Sequence, residues 1–110
     1  SSQYIAQNLI AQVAVTPGLT KVYDDLLTFG KETSEIYSCT LPPRYFGKPF
    51  EELFRLAIDL RSRNVYIVPM AICRNGTMHV NPSIAQINLL EDGDVLYAIC
   101  DSQNDLKHLN

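Results

Sequence analysis

Basic residues are scarce: nine Lys and Arg, scattered, stand against twelve Asp and Glu in 110 residues, for a formal net charge of −3. Binding to a phosphate backbone needs clustered Lys and Arg that release counterions, so no nucleic-acid partner is expected. Cysteine is scarcer still. Cys39, Cys73 and Cys100 are an odd number, lie far apart and form no CxxC pair, which leaves neither a disulfide framework nor closely spaced zinc ligands. They sit in apolar, strand-like runs and read as buried, reduced thiols in a cytosolic setting. No apolar run approaches the roughly 18 to 20 residues that span a bilayer, and no basic segment precedes a short hydrophobic stretch. The piece therefore reads as soluble. Its start inside a helix-like pattern fits excision from a longer chain, which would hold any membrane part.

The components of a catalytic site are missing too. Histidine occurs only at positions 79 and 108, there is no G-x-S-x-G, and no Cys-His pairing is visible, so no enzymatic activity is expected. Two acidic clusters remain. Asp24 and Asp25 are adjacent on a helix, so they point apart and suit solvent better than a calcium ion. Glu91, Asp92 and Asp94 surround Gly93, where glycine supplies positive φ and aspartate bonds its own backbone, which is turn chemistry. No metal site is expected.

What is present, 46% hydrophobic and 19% charged residues, suits one core of modest size. Residues 1–29 read as two helices. Tyr4, Ile5, Leu9 and Val13, with Ile10 beside them, recur at helical spacing, and Ser1 or Ser2 suits the N-cap. Thr16-Pro17-Gly18 breaks the pattern, and Leu19, Val22, Tyr23, Leu26 and Leu27 form a second stripe. A hairpin this short cannot bury both stripes against itself. Either the following lobe covers them or an identical hairpin from a second copy does; the second arrangement makes residues 1–30 a dimerisation segment.

Gly30 suits a helix exit, and residues 34–110 form a separate lobe. Residues 34–41 alternate as a strand, with Tyr37, Cys39 and Leu41 on one face, ended by Pro42-Pro43. Residues 50–63 read as a helix that places Phe50, Leu53, Phe54, Ala57, Ile58 and Arg61 along one face. The apolar run of residues 65–73 reads as a strand buried on both faces, in which Pro69 demands a bulge or an unpaired side. Arg74-Asn75-Gly76 joins it antiparallel to residues 77–80. Asn81-Pro82 closes that hairpin, the Gly93 turn leads into a last strand at residues 95–100, and residues 101–110 form a short helix or fray. The fold class is α+β: an N-terminal helical hairpin, then a small lobe with a mainly antiparallel sheet and one packed helix.

The order and spacing of these elements carry a resemblance. Leu41-Pro42 leads to Gly47-Lys48, then to Phe50-Glu51-Glu52-Leu53 opening a helix. A hydrophobic strand ends in Ala71-Ile72-Cys73-Arg74-Asn75-Gly76, and Asn81-Pro82 precedes Leu90-Glu91-Asp92-Gly93-Asp94-Val95-Leu96. Over residues 34–101 this resembles the TrkA-C lobe, the C-terminal part of RCK domains that regulate potassium channels and transporters. The hairpin before it is similar to the crossover helices that interlock two RCK subunits. The Rossmann-type lobe with its G-x-G-x-x-G loop is absent, so nucleotide binding of that kind is not assigned to these residues.

The resemblance implies a ligand-gated, cytosolic regulatory domain of a potassium channel or uptake system. It implies a homodimer through Tyr4, Ile5, Leu9, Val13, Leu19, Val22, Tyr23 and Leu26, a larger ring in the full protein, and a pore-forming membrane domain as partner. It also implies a ligand cleft between paired lobes, where some members of the family bind a cyclic dinucleotide. Asp59, Arg61, Asn64, Tyr66, His79 and Pro82 are the candidates here: arginine and asparagine for phosphate and base edges, Tyr66 or His79 for stacking. The plainer alternative is that Arg61 and Arg63 complement the negative end of the helix and His79 is an exposed strand residue. Two other functions fit the same lobe, a regulatory insert of another ion transporter or antiporter, and a stand-alone dimeric sensor or adaptor.

Overall fold

The computed structural model describes Gly18, Lys21, Val22, Asp24 and residues 35–110. The chain divides into two units, Ser1–Thr33 and Ser34–Asn110. In the first, Gly18 turns with φ 86°, its carbonyl accepts from the Lys21 amide at 3.1 Å, and Lys21, Val22 and Asp24 are helical. The other hairpin positions, Tyr4, Ile5, Leu9, Val13, Leu19, Tyr23 and Leu26 among them, lie outside the described residues.

The second unit is an α+β lobe. Its strands are β1 (Glu35–Thr40), β2 (Ile67–Arg74), β3 (Thr77–Val80) and β4 (Val95–Cys100), and its helix is α1 (Glu51–Arg61). Short 3-10 turns cover Pro43–Tyr45 and Gln103–Leu109. The sheet order is β1-β4-β2-β3 and every neighbouring pair is antiparallel. Asn75 and Gly76, both at positive φ (51° and 80°), supply the backbone twist that a two-residue hairpin requires between β2 and β3. The expected irregularity at Pro69 is present. Pro69 lies opposite Ala98 and Ala71 opposite Tyr97, so Met70 is an extra residue, and the strand needs no donor from the proline.

Cross-strand partners share a face, and the two faces of this sheet differ. Ile67, Ile72, Leu96, Ala98 and Cys100 pack with Leu53 and Leu60 of α1 into the core, joined by Leu41, Tyr45, Phe50, Ile87 and Leu90 from the connections. On the other face Ile36, Ile99 and Val68 form one row, Tyr97, Ala71 and Val80 a second, and Val95, Cys73 and Met78 a third. Val80 is 62% exposed there and Val68 44%, which corrects the expectation that β2 is buried on both faces. Alternation survives at the start of the strand because only one face is covered by a helix.

The helix also corrects its expected phase. Phe50, Leu53, Ala57 and Leu60 are buried, whereas Ile58 is 70% exposed and Phe54 sits at the margin, edge-on to Phe50 at 5.3 Å. Both stripes satisfy helical spacing, and packing against β2 selects the one that includes Leu60. The C-terminal residues do not fray. Ser102 and Asp105 form a capping box and Leu106 and Leu109 are buried, while the Tyr45 hydroxyl donates to the Leu109 carbonyl at 2.9 Å and the Gln103 amide to Ser38 at 2.8 Å. Of the cysteines, all free, Cys100 is buried but Cys39 and Cys73 are only half-buried. Burial pushes the Cys100 thiol up to about 11 and moves Cys39 in the same direction, away from reactive thiolates.

Candidate functional site

The candidate residues gather at the exit of α1. Asn64 holds φ 63°, its amide donates to Arg61 and the Val65 amide to Leu60, both at 3.1 Å. This pair of bonds around a left-handed residue is the Schellman stop, and asparagine tolerates it better than most side chains. Asn64 is thus where α1 ends and the chain turns toward β2. Its side-chain oxygen accepts from the Tyr66 hydroxyl at 3.2 Å, and the Arg61 guanidinium lies 5.0 Å from the Tyr66 ring centroid. Arg63 reaches back one turn to Asp59 at 3.0 Å.

These groups form an exposed platform, with Tyr66 42% exposed and Arg61 on top of it. An aromatic face under a cation is what stacking on a base or holding an anion requires. His79 lies on β3 and Pro82 follows that strand. His79 stands opposite Ile72, and Ile67 to Ile72 along β2 is about 16 Å at the usual rise.

A second constellation was not foreseen. Arg74 grips the buried Asp94 with both arms, Nε to Oδ1 and Nη2 to Oδ2, each 2.8 Å. It also donates to the Leu89 carbonyl at 2.8 Å and pairs with Glu91 at 3.0 Å. Asp94 further accepts from the Glu91 amide at 2.9 Å, and its carbonyl receives the Leu41 amide at 3.0 Å. Burial alone would raise the Asp94 carboxyl, but the Arg74 fork, the Glu91 amide and the nearby positive charges outweigh it and hold the group below the usual carboxylate range. The hydrogen bond to Asp94 raises Arg74 in turn. Beside this clasp the Gly47 amide donates to Leu90 and the Leu90 amide to Lys48, both 2.8 Å.

Leu41, Gly47-Lys48, Arg74 and the segment from Leu89 to Asp94, separate in sequence, therefore meet in one hydrogen-bonded cluster. The acidic turn at Gly93 is consumed by Arg74 and, among the described residues, no group of three or more His, Cys, Asp or Glu is placed to hold a metal ion. Arg74 and Asp94 belong to different sequence motifs, the β2–β3 hairpin and the Gly93 turn. The only linear signal for their pairing was opposite charge beside two tight turns, twenty residues apart.

Comparison with known proteins now bears on these motifs. A family model described as Castor and Pollux, part of voltage-gated ion channel, matches residues 3–109. The chain belongs to the Castor and Pollux family. The match takes in the clasp, the α1 exit and the N-terminal unit alike. No curated protein sequence matches the chain. Among solved structures, the human SLO3 gating ring superposes with a TM-score of 0.71 at 18% identity, over 92% of this chain and 20% of that one. At that identity the likeness is one of fold, and this member of the family spans about a fifth of the SLO3 chain. Both findings agree with the RCK-type C-terminal lobe that the motifs indicated. Among the described residues no helix is long and apolar enough to cross a membrane.

Proposed function

We propose that this chain is a cytosolic regulatory lobe of a potassium channel, which turns ligand binding between paired copies into a displacement at the pore. The observation that carries the reading is the family match over residues 3–109 to part of a voltage-gated ion channel, and the gating-ring fold supports it. Pairing as a homodimer would use the stripe Tyr4, Ile5, Leu9, Val13, Leu19, Val22, Tyr23 and Leu26. A larger ring in the full protein would then link these pairs to a pore-forming membrane domain. Val22, the one member of that stripe that is described, is 53% exposed in the single chain. The open sheet face, with its three apolar rows, supports a second contact between lobes.

The ligand would sit on Asp59, Arg61, Asn64 and Tyr66, with His79 and Pro82 supplied across the pair; a cyclic dinucleotide suits a cation over an aromatic ring. A ligand shifts a conformational equilibrium only by its differential affinity for the two states. Coupling of about 1 to 3 kcal/mol changes opening 5- to 150-fold per site, so several sites acting in one ring are expected.

Recording from inside-out patches that carry the full-length protein tests this. Potassium-selective openings should change in probability by roughly fivefold or more in Leu9→Asp, at unchanged single-channel conductance, and the 110-residue chain should sediment as a dimer that Leu9→Asp dissociates. Absence of potassium current, or gating indifferent to a substitution that abolishes the dimer, would overturn the reading.

A further inference from the structure

The opposite flank of α1 from Arg61 carries a feature independent of the channel reading. Residues 52, 55, 56 and 59 of the helix face the turn Pro43–Tyr45 across a groove of about 370 Å³, within the range of about 300 to 1,000 Å³ usual for small-molecule sites. Tyr45 and Leu56 form its apolar surface, and Arg44, Lys48, Arg55, Glu52 and Asp59 bring five charges to its rim.

Those charges do not cancel. Glu52 pairs with Arg55, and Asp59 is taken by Arg63, which lies outside the lining. Both carboxylates of the groove are thus already matched, and among the described residues neither Arg44 nor Lys48 meets a carboxylate. Among the described residues Arg44 makes a long 3.4 Å contact to the Asn110 carbonyl and lies over the Tyr45 ring.

Both cations are carried by anchored backbone. Tyr45 is pinned through its hydroxyl to Leu109, and Lys48 is held by its amide to Tyr45 and by its carbonyl to Leu90. Two unmatched positive charges on a fixed frame, in a chain of net charge −3, suit a dianion. A phosphomonoester carries about −1.5 to −2 at neutral pH, and the arginine fork with a lysine point charge is the pair of donors that phosphate accepts best.

We infer that the groove between the Pro43–Tyr45 turn and α1 binds a phosphomonoester or diphosphate group, held by Arg44 and Lys48 with the remainder of the ligand against Leu56. Inorganic pyrophosphate and vesicles of phosphatidylcholine with one-fifth phosphatidic acid are the probes, and they separate a soluble phosphate from a lipid headgroup. In nuclear magnetic resonance titration of the 110-residue chain, pyrophosphate should shift the amides of residues 44–48 and 52–56 saturably. Arg44→Glu with Lys48→Glu should weaken binding by at least about tenfold, as the loss of charge-assisted hydrogen bonds requires. Arg44→Gln with Lys48→Gln does the same without reversing charge, and Thr77→Glu, on β3 and outside the lining of the groove, should leave binding unchanged. Saturable binding to the acidic vesicles alone, with the same response to the variants, assigns the site to a headgroup. Binding to neither probe, or binding that Thr77→Glu weakens as much as the Arg44 and Lys48 pair, would overturn the inference.

Discussion

Two arginines of this lobe sit in opposite circumstances. Arg74 is mostly buried, shares both arms with an Asp94 that is 1% exposed, and also engages Glu91 and the Leu89 carbonyl. Arg61 is exposed and rests on a tyrosine ring, with no carboxylate partner among the described residues. A guanidinium with most of its donors engaged by the fold holds that fold together, whereas one that covers an aromatic face and leaves its donors to water can exchange that water for a ligand. The contrast separates a side chain committed to holding turns and strands together from one left open to solvent.

The largest way to break the contrast is to remove one side of the clasp. Asp94→Asn leaves Arg74 with only the more exposed Glu91 as a charged partner, and breaking a buried pair of this kind costs up to about 3 to 5 kcal/mol. Urea unfolding of the 110-residue chain should show that loss. The pH dependence has a definite sign. Asp94 titrates lower in the folded state than the roughly 3.9 of an unfolded aspartate, so its contribution is complete above that value and disappears as pH falls through the folded value. The acid limb of wild-type stability should therefore be steeper than that of Asp94→Asn. Equal limbs would mean that the carboxylate is not held low by Arg74.

Much of the lobe was legible in the sequence because local chemistry and tertiary need agree there. Asn75-Gly76 dictates a hairpin, Pro69 dictates a bulge, and Pro42-Pro43 ends a strand whatever surrounds them. The phase of α1 was not legible. Phe50, Leu53, Ala57 and Leu60 form one stripe and Phe50, Phe54 and Ile58 another, and only the position of β2 decides between them. Nor was the Arg74–Asp94 pair, since no local rule joins residues twenty positions apart. Asp59, Arg61, Asn64 and Tyr66 are neighbours because one helix end and the start of one strand carry them, whereas His79 and Pro82 lie on and after β3, where strand pairing and no local rule decides what stands beside them.

A smaller effect sharpens the platform side. Asn64 is needed there for its backbone as much as for its side chain, because a residue with a Cβ at φ 63° carries a penalty of roughly 1 to 2 kcal/mol unless it is asparagine-like. Asn64→Ala should lose stability of that order in urea unfolding, and Asn64→Gly should restore it. If the glycine variant is as unstable as the alanine one, the side-chain bond to Tyr66 rather than the helix stop is what Asn64 provides.

The smallest effect on folding should be the largest on ligand affinity. Arg61 over Tyr66 is an exposed cation–π pair, worth about 0.5 to 1 kcal/mol, so Tyr66→Leu and Arg61→Ala should each barely move the unfolding midpoint. Stacking of a base on an aromatic ring is worth about 1 to 3 kcal/mol, so Tyr66→Leu should weaken cyclic dinucleotide binding by roughly five- to 150-fold in calorimetric titration. Affinity that tracks the small stability loss, and no more, would place the ligand elsewhere and leave Tyr66 as a lid on the helix end, a role Leu would fill nearly as well.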